Sequence, residues 1–505
     1  MYSNGFRCYR ASVCCPKGFI SINRYWSIVN CKWLIVNFRH LSLTIYHLPL
    51  IAMNPTIFRE YDIRGIVGED LNEKIVRQIG LAIGTYFRKN NAKRIAIGYD
   101  ARESSPKFCE ILVESLNQTG CDCLLIGRVP TPVLYFTTFT KEVDSGVMIT
   151  GSHNPSHHNG FKISLGKDSL YGKQIQEIKE IALAGDFAEG IGKTEDLEIL
   201  DDYFIQLFKR INLGNRKLKV VIDAGNGMGG VTAVPFYQNL GVEIIELFCE
   251  PDSSFPNHQP DPSQEKNLQD LINKVVETKA DIGIAFDGDA DRITIIDEIG
   301  RIIWGDELMI LLSREVLMEN PNSTIIAEVK CTQALFDEIE RLGGKAIMSK
   351  AGHSIIKAKM KETNAVLAGE MSGHIFFADR FYGFDDACYA GARVLEILSK
   401  TDKTLSGIFA EFPQTFSTSE IRVTCAEEKK AIVIEKLIEE FSKTNEIKTI
   451  DGIRIKFENG WGLVRPSNTQ ALLILRFEAN SEESLKKMRK VVQNKVESIL
   501  FNSNP

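Results

Sequence analysis

No stretch of this chain reaches the roughly 18 consecutive apolar residues that a membrane-spanning helix requires, so no membrane span is expected. A basic surplus is missing as well. The 60 Lys and Arg stand against 66 Asp and Glu, a formal charge of −6, which argues against a general nucleic-acid binder. If the chain handles anions, its positive charge must be gathered in one cleft. Eleven cysteines are present, but no C-x-x-C pair and no Cys/His ligand spacing, which excludes a zinc module. Cys121 and Cys123 stand two apart, as alternating positions of a strand. The thiols read as reduced, in a cytoplasmic protein.

Acidic residues are absent from positions 1–52, where the chain's own frequency of 66 in 505 would give about seven. The same segment carries Arg7, Arg10, Lys17, Arg24, Lys32 and Arg39, and two of the four tryptophans, Trp26 and Trp33. Its apolar stretch from Leu41 to Ala52 follows a long aromatic lead and is broken by His47 and Pro49, which fits a targeting peptide poorly. The expectation is an N-terminal extension outside the native fold, with the protein proper starting at Met53.

Over its full length, 44% hydrophobic and 25% charged residues describe an ordinary globular chain, long enough for about three or four domains. Three times a β-branched run ends in a polar or glycine-bearing loop and passes into a helix-like stretch: Arg94–Arg102, Leu218–Gly227 and Thr324–Thr332. Such recurrence predicts three similar α/β domains with mixed sheets and functional loops at strand C-termini. After about residue 414 the pattern becomes α+β: strands at 420–424, 452–457 and 471–477, and helices at 426–444 and at the end. The expected division is 53–197, 198–301, 302–413 and 414–505, with linkers near 192–195, 299–305 and 412–417, and the units arranged around a central cleft.

Four loops carry chemistry. Thr150-Gly-Ser-His-Asn-Pro follows an apolar strand and presents Ser152 in a glycine-flanked turn, with His153 and Lys162 as nearby proton or charge carriers. A serine-rich turn is, by itself, more often only a turn. Asp287-Gly-Asp-Ala-Asp-Arg292 sets three carboxylates at i, i+2 and i+4 between two apolar strands, an all-oxygen ligand set suited to Mg²⁺ or Mn²⁺. An EF-hand would also use Asp287, Asp289, Asp291 and Glu298, but Arg292 occupies its obligatory glycine and the flanks are strand-like. Gly369-Glu-Met-Ser-Gly-His374 offers an acid, a hydroxyl and an imidazole to a sugar. Arg465-Pro-Ser-Asn-Thr469 offers a guanidinium, hydroxyls, an amide and backbone N–H groups to a phosphate.

Two motifs mislead. Gly225-Asn-Gly-Met-Gly-Gly230 fits the dinucleotide fingerprint, with Glu243 and Glu246 at about the ribose-binding distance, but no hydride-transfer site accompanies it, so it reads as a structural turn. Gly192-Lys-Thr194 imitates a Walker loop, yet Phe187 stands where that loop needs its first glycine.

Taken in order, and with the opening Phe58-Arg-Glu-Tyr-Asp-Ile-Arg-Gly65, these four loops resemble the alpha-D-phosphohexomutase superfamily, most closely its bacterial phosphomannomutase/phosphoglucomutase branch. The likeness runs from about Phe58 to the C-terminus. It implies four domains around one cleft, the last a mobile lid, and interconversion of hexose 6-phosphate and hexose 1-phosphate, mannose or glucose, through a phosphoserine and a hexose 1,6-bisphosphate. Ser152 is then the phosphoserine. Asp287, Asp289 and Asp291, with the Ser152 phosphate, become the Mg²⁺ ligands. Glu370 and Ser372 become the contacts to the sugar O3 and O4 hydroxyls, and Arg465, Ser467, Asn468 and Thr469 the cradle for the phosphate that is not reacting. Arg64, His153, Lys162, Arg292, Lys350, His353 and His374 form the surrounding charge and proton-transfer shell. Small hexose phosphates are the expected partners, for a monomer or weak homo-oligomer. The rival readings are a phosphoglucosamine mutase, a phosphoserine-dependent sugar phosphatase, a non-catalytic sugar-phosphate binder and an NAD-dependent oxidoreductase.

Overall fold

A computed structural model describes residues 36–37, 42–43, 53–467 and 471–502. The chain divides into two units, Met1–Ala52 and Met53–Pro505. Of the first, the described residues form one antiparallel pair, Val36–Asn37 with Ser42–Leu43. The expectation of an extension outside the native fold otherwise falls outside the described residues, as do the Asn468 and Thr469 assignments.

In the second unit, the three recurring strands identified by sequence each lie inside a sheet, between two parallel neighbours. Arg94–Tyr99 pairs in parallel with Asp122–Arg128 on one side and Ser145–Ile149 on the other. Lys219–Asp223 is flanked in the same way by Glu243–Leu247 and Ile282–Phe286, and Thr324–Glu328 by Lys345–Ser349 and Leu367–Gly369. Parallel strands covered on both faces need continuous apolar runs, and Ile282–Phe286 and Ser145–Ile149 are buried along their whole length. In every case the third strand turns back as an antiparallel hairpin: Ser145–Ile149 into His158–Leu165, Ile282–Phe286 into Ile293–Asp297, Leu367–Gly369 into Ile375–Phe377. The mixed sheets therefore have one plan. Its repeated hairpin turn carries Ser152 in the first sheet, the three aspartates in the second and Glu370 to His374 in the third.

The last sheet is antiparallel throughout, ordered Phe416–Ser417, Leu472–Ala479, Gly460–Pro466, Ile453–Phe457 and Ile447–Lys448, with Ile421–Thr424 also on Leu472–Ala479. Helices Glu427–Phe441 and Glu482–Asn502 complete it. Three α/β units plus this C-terminal unit are the expected architecture. One apolar core runs through the α/β units, whereas the C-terminal unit has its own around Val433, Leu475 and Val492.

Local details differ from the sequence reading. The expected linkers are built into sheet edges, Thr194–Asp196 beside Asp122–Arg128, Ile302–Ile303 beside Ile293–Asp297, and Phe416–Ser417 beside Leu472–Ala479. Arg465 and Pro466 still belong to the strand Gly460–Pro466 rather than to a loop. The seven cysteines among the described residues are buried and free. No described helix is long and apolar enough to cross a membrane.

Candidate active site

Ser152 stands one residue past a glycine in the first hairpin turn, with a left-handed φ of 47° that a non-glycine residue rarely adopts. A buried arginine holds it there. Arg102 follows the central strand of the first sheet and donates from Nη2 to the carbonyls of Ser152 (2.7 Å) and Asn154 (2.6 Å), and from Nη1 to those of Pro155 (2.6 Å) and His158 (2.9 Å). Its Nε donates to Asp100 at 3.1 Å, and Asp100 in turn accepts the Gly151 N–H. A side chain at Gly151 would begin 2.4 Å from that Nε, so the turn is wound around the guanidinium with no atom to spare. Arg102→Leu is expected to strip the guanidinium hydrogen bonds from four carbonyls and the counter-charge from buried Asp100, and to cost about 3–5 kcal/mol, checked by urea denaturation.

The second hairpin turn stacks directly on the first. A Cβ on Gly288 would lie 2.4 Å from the Ser152 carbonyl oxygen, so this glycine makes the close approach possible. The Gly225–Gly230 turn supports the aspartate loop from behind: Met228 N–H donates to Gly288 O at 2.9 Å, and a Cβ on Gly227 would lie 2.7 Å from Gly288 Cα. That is a structural use of glycines, as read from the sequence. Glu298, which an EF-hand would need, instead bonds Ser406.

Asp287, Asp289 and Asp291 are each wholly buried, and one carboxylate oxygen of each lies within 4.8 Å of the others. Ser152 Oγ donates to Asp287 Oδ2 at 2.8 Å and lies 3.2 Å from His153 Nδ1. Lys162 Nζ bridges Asp289 (2.7 Å) and Asp291 (2.5 Å), and Thr131 Oγ1 donates to Asp289 at 2.5 Å. Even so, Oδ1 of Asp289 and Oδ1 of Asp291 are buried without a hydrogen bond. Burial, with Asp291 and Asp289 beside it, pushes the Asp287 carboxyl well above the carboxylate range. Burial works against Asp289 too, but the Lys162 charge holds it below its ordinary value. Burial opposes the Lys162 charge, and Asp289 and Asp291 hold it well above the usual ammonium range. Three carboxylates with one ammonium, two of their oxygens unpaired, fit a hard divalent cation.

These two turns face a cavity of about 860 Å³, lined also by the third turn and the C-terminal unit. Nine Lys and Arg against five Asp and Glu line it, so a chain of net negative charge presents a cationic cleft. Of the residues singled out by sequence, Arg64, Ser152, His153, Lys162, Arg292, His353, Glu370, Ser372, His374, Arg465 and Ser467 all line it. The aspartates lie behind Ser152. Lys350 is exposed and not among the lining residues; its charge acts on Glu60 instead. Arg64 donates to Asn154 (2.7 Å) and Asp62 (2.5 Å). Glu370 accepts the Gly352 N–H at 2.6 Å, Arg292 Nε donates to His374 Nε2 at 2.8 Å, and Arg465 Nε donates to Asp451 at 2.8 Å. Burial, then the charges of Arg292 and Arg64, hold His153 well below its ordinary value, which leaves it neutral near pH 7.

Sequence reasoning overlooked Lys330, Arg422, Arg476 and Trp304, which also line the cavity. Lys330 sits in the third recurring segment, Thr324–Thr332, so its place at a strand C-terminus was the available signal. Arg422 and Arg476 lie on antiparallel strands and carried none.

The fold and this site together define a four-unit α/β protein whose serine hydroxyl rests on a cluster of three buried aspartates beside a cleft lined mainly by cationic side chains. The chain belongs to the phosphoglucomutase/phosphomannomutase family: its alpha/beta/alpha domain I matches residues 55–189, domain II residues 201–300, domain III residues 304–416 and the C-terminal domain residues 420–495. The chain is 47% identical over 447 residues to a phosphomannomutase/phosphoglucomutase of Pseudomonas putida, covering 88% of this chain and 96% of that one. It is 45% identical over 454 residues to a phosphoglucomutase of Neisseria meningitidis, covering 89% and 97%. Among solved structures, a phosphoglucomutase/phosphomannomutase family protein from Burkholderia thailandensis superposes with a TM-score of 0.84 at 40% identity, over 89% of this chain and 98% of that one.

Proposed function

We propose that the protein interconverts hexose 6-phosphate and hexose 1-phosphate, with mannose and glucose as the hexoses, by passing a phosphoryl group through Ser152. The observation that supports this most is the placement of Ser152 Oγ on Asp287, at the floor of a cationic cleft that has further anion-binding groups, Arg465 and Ser467, on the C-terminal unit. With Ser152 phosphorylated, a free hydroxyl of the bound sugar phosphate attacks the phosphorus. The P–Oγ bond breaks, and a hexose 1,6-bisphosphate forms. The bisphosphate turns around, Ser152 Oγ attacks its other phosphate, and the isomeric monophosphate leaves.

Asp287, Asp289 and Asp291 are the residues that would hold Mg²⁺, which supplies charge neutralisation at the transferring phosphoryl group. Lys162 and Arg292 add fixed positive charge. Neutral His153, beside Ser152 Oγ, is placed to take or return the hydroxyl proton. Glu370 and Ser372 bind sugar hydroxyls, and Arg465 with Ser467 holds the phosphate that is not reacting.

The test is to supply mannose 1-phosphate, glucose 1-phosphate and glucosamine 1-phosphate with Mg²⁺ and a trace of bisphosphate, and to follow 6-phosphate formation and phosphorylation of the Ser152 peptide. Release of inorganic phosphate without isomer would replace the mutase by a phosphatase. The two neutral sugars differ only at C2. Between Glu370 and Ser372 stands Met371, whose backbone N–H faces Glu328 and whose sulfur meets Arg476. Without a polar group to read C2, only a few kcal/mol of discrimination is accessible, so kcat/KM for mannose and glucose should agree within about two orders of magnitude. Glucosamine phosphate should be poorer, because nothing at Met371 pairs with its ammonium. A preference above about a thousandfold for mannose, or glucosamine as the best substrate, would defeat this reading.

A further inference from the structure

Behind the third hairpin turn lies a carboxylate that the reaction scheme does not use. Asp385 is wholly buried, and its backbone is fixed on one side by a bridge to Phe376 and on the other by Asp386, which caps the helix Ala387–Ser399. Its Oδ1 accepts from Lys357 Nζ at 3.1 Å, while its Oδ2 makes no aligned hydrogen bond and acts through its charge on His374 Nδ1, 3.0 Å away, and His353 Nδ1, 3.4 Å away. Lys357 is one helical turn beyond His353 on the helix His353–Thr363, so both reach the same carboxylate. Burial would raise the Asp385 carboxyl, but the Lys357 charge holds it well below its ordinary value.

Which nitrogen of His374 carries the proton follows from its other neighbour. An arginine keeps its N–H donors at any ordinary pH, so His374 Nε2, 2.8 Å from Arg292 Nε, accepts. A neutral imidazole that accepts at Nε2 has its proton on Nδ1, the nitrogen turned to Asp385. Asp291 Oδ1 faces the same nitrogen from farther away, at 3.6 Å. A protonated Nδ1 cannot ligate a metal, so the convergence of Asp291, His353 and Asp385 does not gain His374 as a further ligand.

We propose that Lys357, Asp385 and His374 form a positioning chain ending on Arg292: Asp385 fixes the His374 tautomer, and His374 orients the guanidinium so that its Nη groups face the cleft. The role in catalysis rests on the mutase reading, while the tautomer does not. In Asp385→Asn only one side-chain oxygen remains. Lys357 claims it, the amide N–H₂ turns to His374 Nδ1, and the proton moves to Nε2, where it meets the N–H of Arg292. Removing the rival as well, in Lys357→Met with Asp385→Asn, frees the amide oxygen for His374 and restores the original tautomer.

The experiment is histidine side-chain NMR on full-length ¹⁵N-His protein, with kcat and KM for the same variants. Wild type should show a protonated Nδ1 and a bare Nε2 at His374. Asp385→Asn should reverse them and lower kcat on the order of ten- to a hundredfold, with the double variant recovering both. A proton on Nε2 in the wild type overturns the proposal even if no variant folds, and so does an unchanged tautomer in a folded Asp385→Asn. The expected tautomers in a chain without mutase turnover would sink the mutase reading instead and leave the chain of contacts standing.

Discussion

Ser152→Ala is expected to lose on the order of 10⁴-fold in turnover while folding and binding hexose phosphate as the wild type does. The fold should survive because the hydroxyl contributes little to it. Ser152 Oγ donates one hydrogen bond, to Asp287 Oδ2, and Oδ1 of the same carboxylate keeps the N–H groups of Asp291 (3.0 Å) and Arg292 (3.1 Å). Losing one such bond costs about 1–2 kcal/mol. The left-handed backbone at this position is imposed by Arg102 and by the glycine beside it, and alanine meets it with the same strain as serine. The chemistry, by contrast, has no substitute. Neither Thr150, whose Oγ1 accepts the Ser152 N–H, nor His153 can take the phosphoryl group at the same point above the aspartates. A coupled assay for 6-phosphate, run beside a thermal melt, measures both. Near-wild-type turnover would remove Ser152 from the mechanism.

That this serine could be singled out from sequence has a physical basis. A buried parallel strand is a continuous apolar run, and a glycine-flanked polar turn after it is conspicuous, so Ser145–Ile149 followed by Gly151-Ser152 was legible, as was Ile282–Phe286 followed by three aspartates. The recurrence of Arg94–Tyr99, Lys219–Asp223 and Thr324–Glu328 likewise identified one interior strand in each of three sheets. Contacts made across the chain were not legible. Arg102 grips carbonyl oxygens, which every residue has, so no partner residue type marks it. Asp385 lies in a loop beside a second aspartate that serves as a helix cap, and nothing local separates the two roles. The strand Gly460–Pro466 was missed because Gly460, Gly462 and Pro466 read as turn residues, although Gly462 lies across from Phe477, whose ring would stand 2.9 Å from any Cβ placed there. The edge strands within the expected linkers were not legible either: Phe416–Ser417 gains its pairing from a neighbour distant in sequence.

The second large effect is expected at Asp289, the aspartate with the most demanding surroundings. Lys162 and Thr131 both donate to its Oδ2, while its Oδ1 is buried without a partner. An asparagine has one acceptor and one donor where the carboxylate has two acceptors. If its oxygen stays with Lys162 and Thr131, its N–H₂ replaces Oδ1 and points a donor into the space between the aspartates, where a cation needs lone pairs. If the amide turns the other way, two donors meet the N–H₂ and Lys162 must move off. Either rotamer also removes the charge of one of the two carboxylates bonded to the Lys162 ammonium. Asp289→Asn is therefore expected to weaken Mg²⁺ binding by on the order of a hundredfold and kcat/KM by on the order of 10³-fold, consistent with the few kcal/mol supplied by a charge aimed at a transferring phosphoryl group. Isothermal titration with Mg²⁺ alone reads the first quantity independently of turnover. Wild-type activity should vanish in excess chelator and return with Mg²⁺. Chelator-resistant activity in the wild type, or unaltered Mg²⁺ affinity in Asp289→Asn, would take the metal away from these three carboxylates and leave Lys162 and Arg292 as their counter-charges.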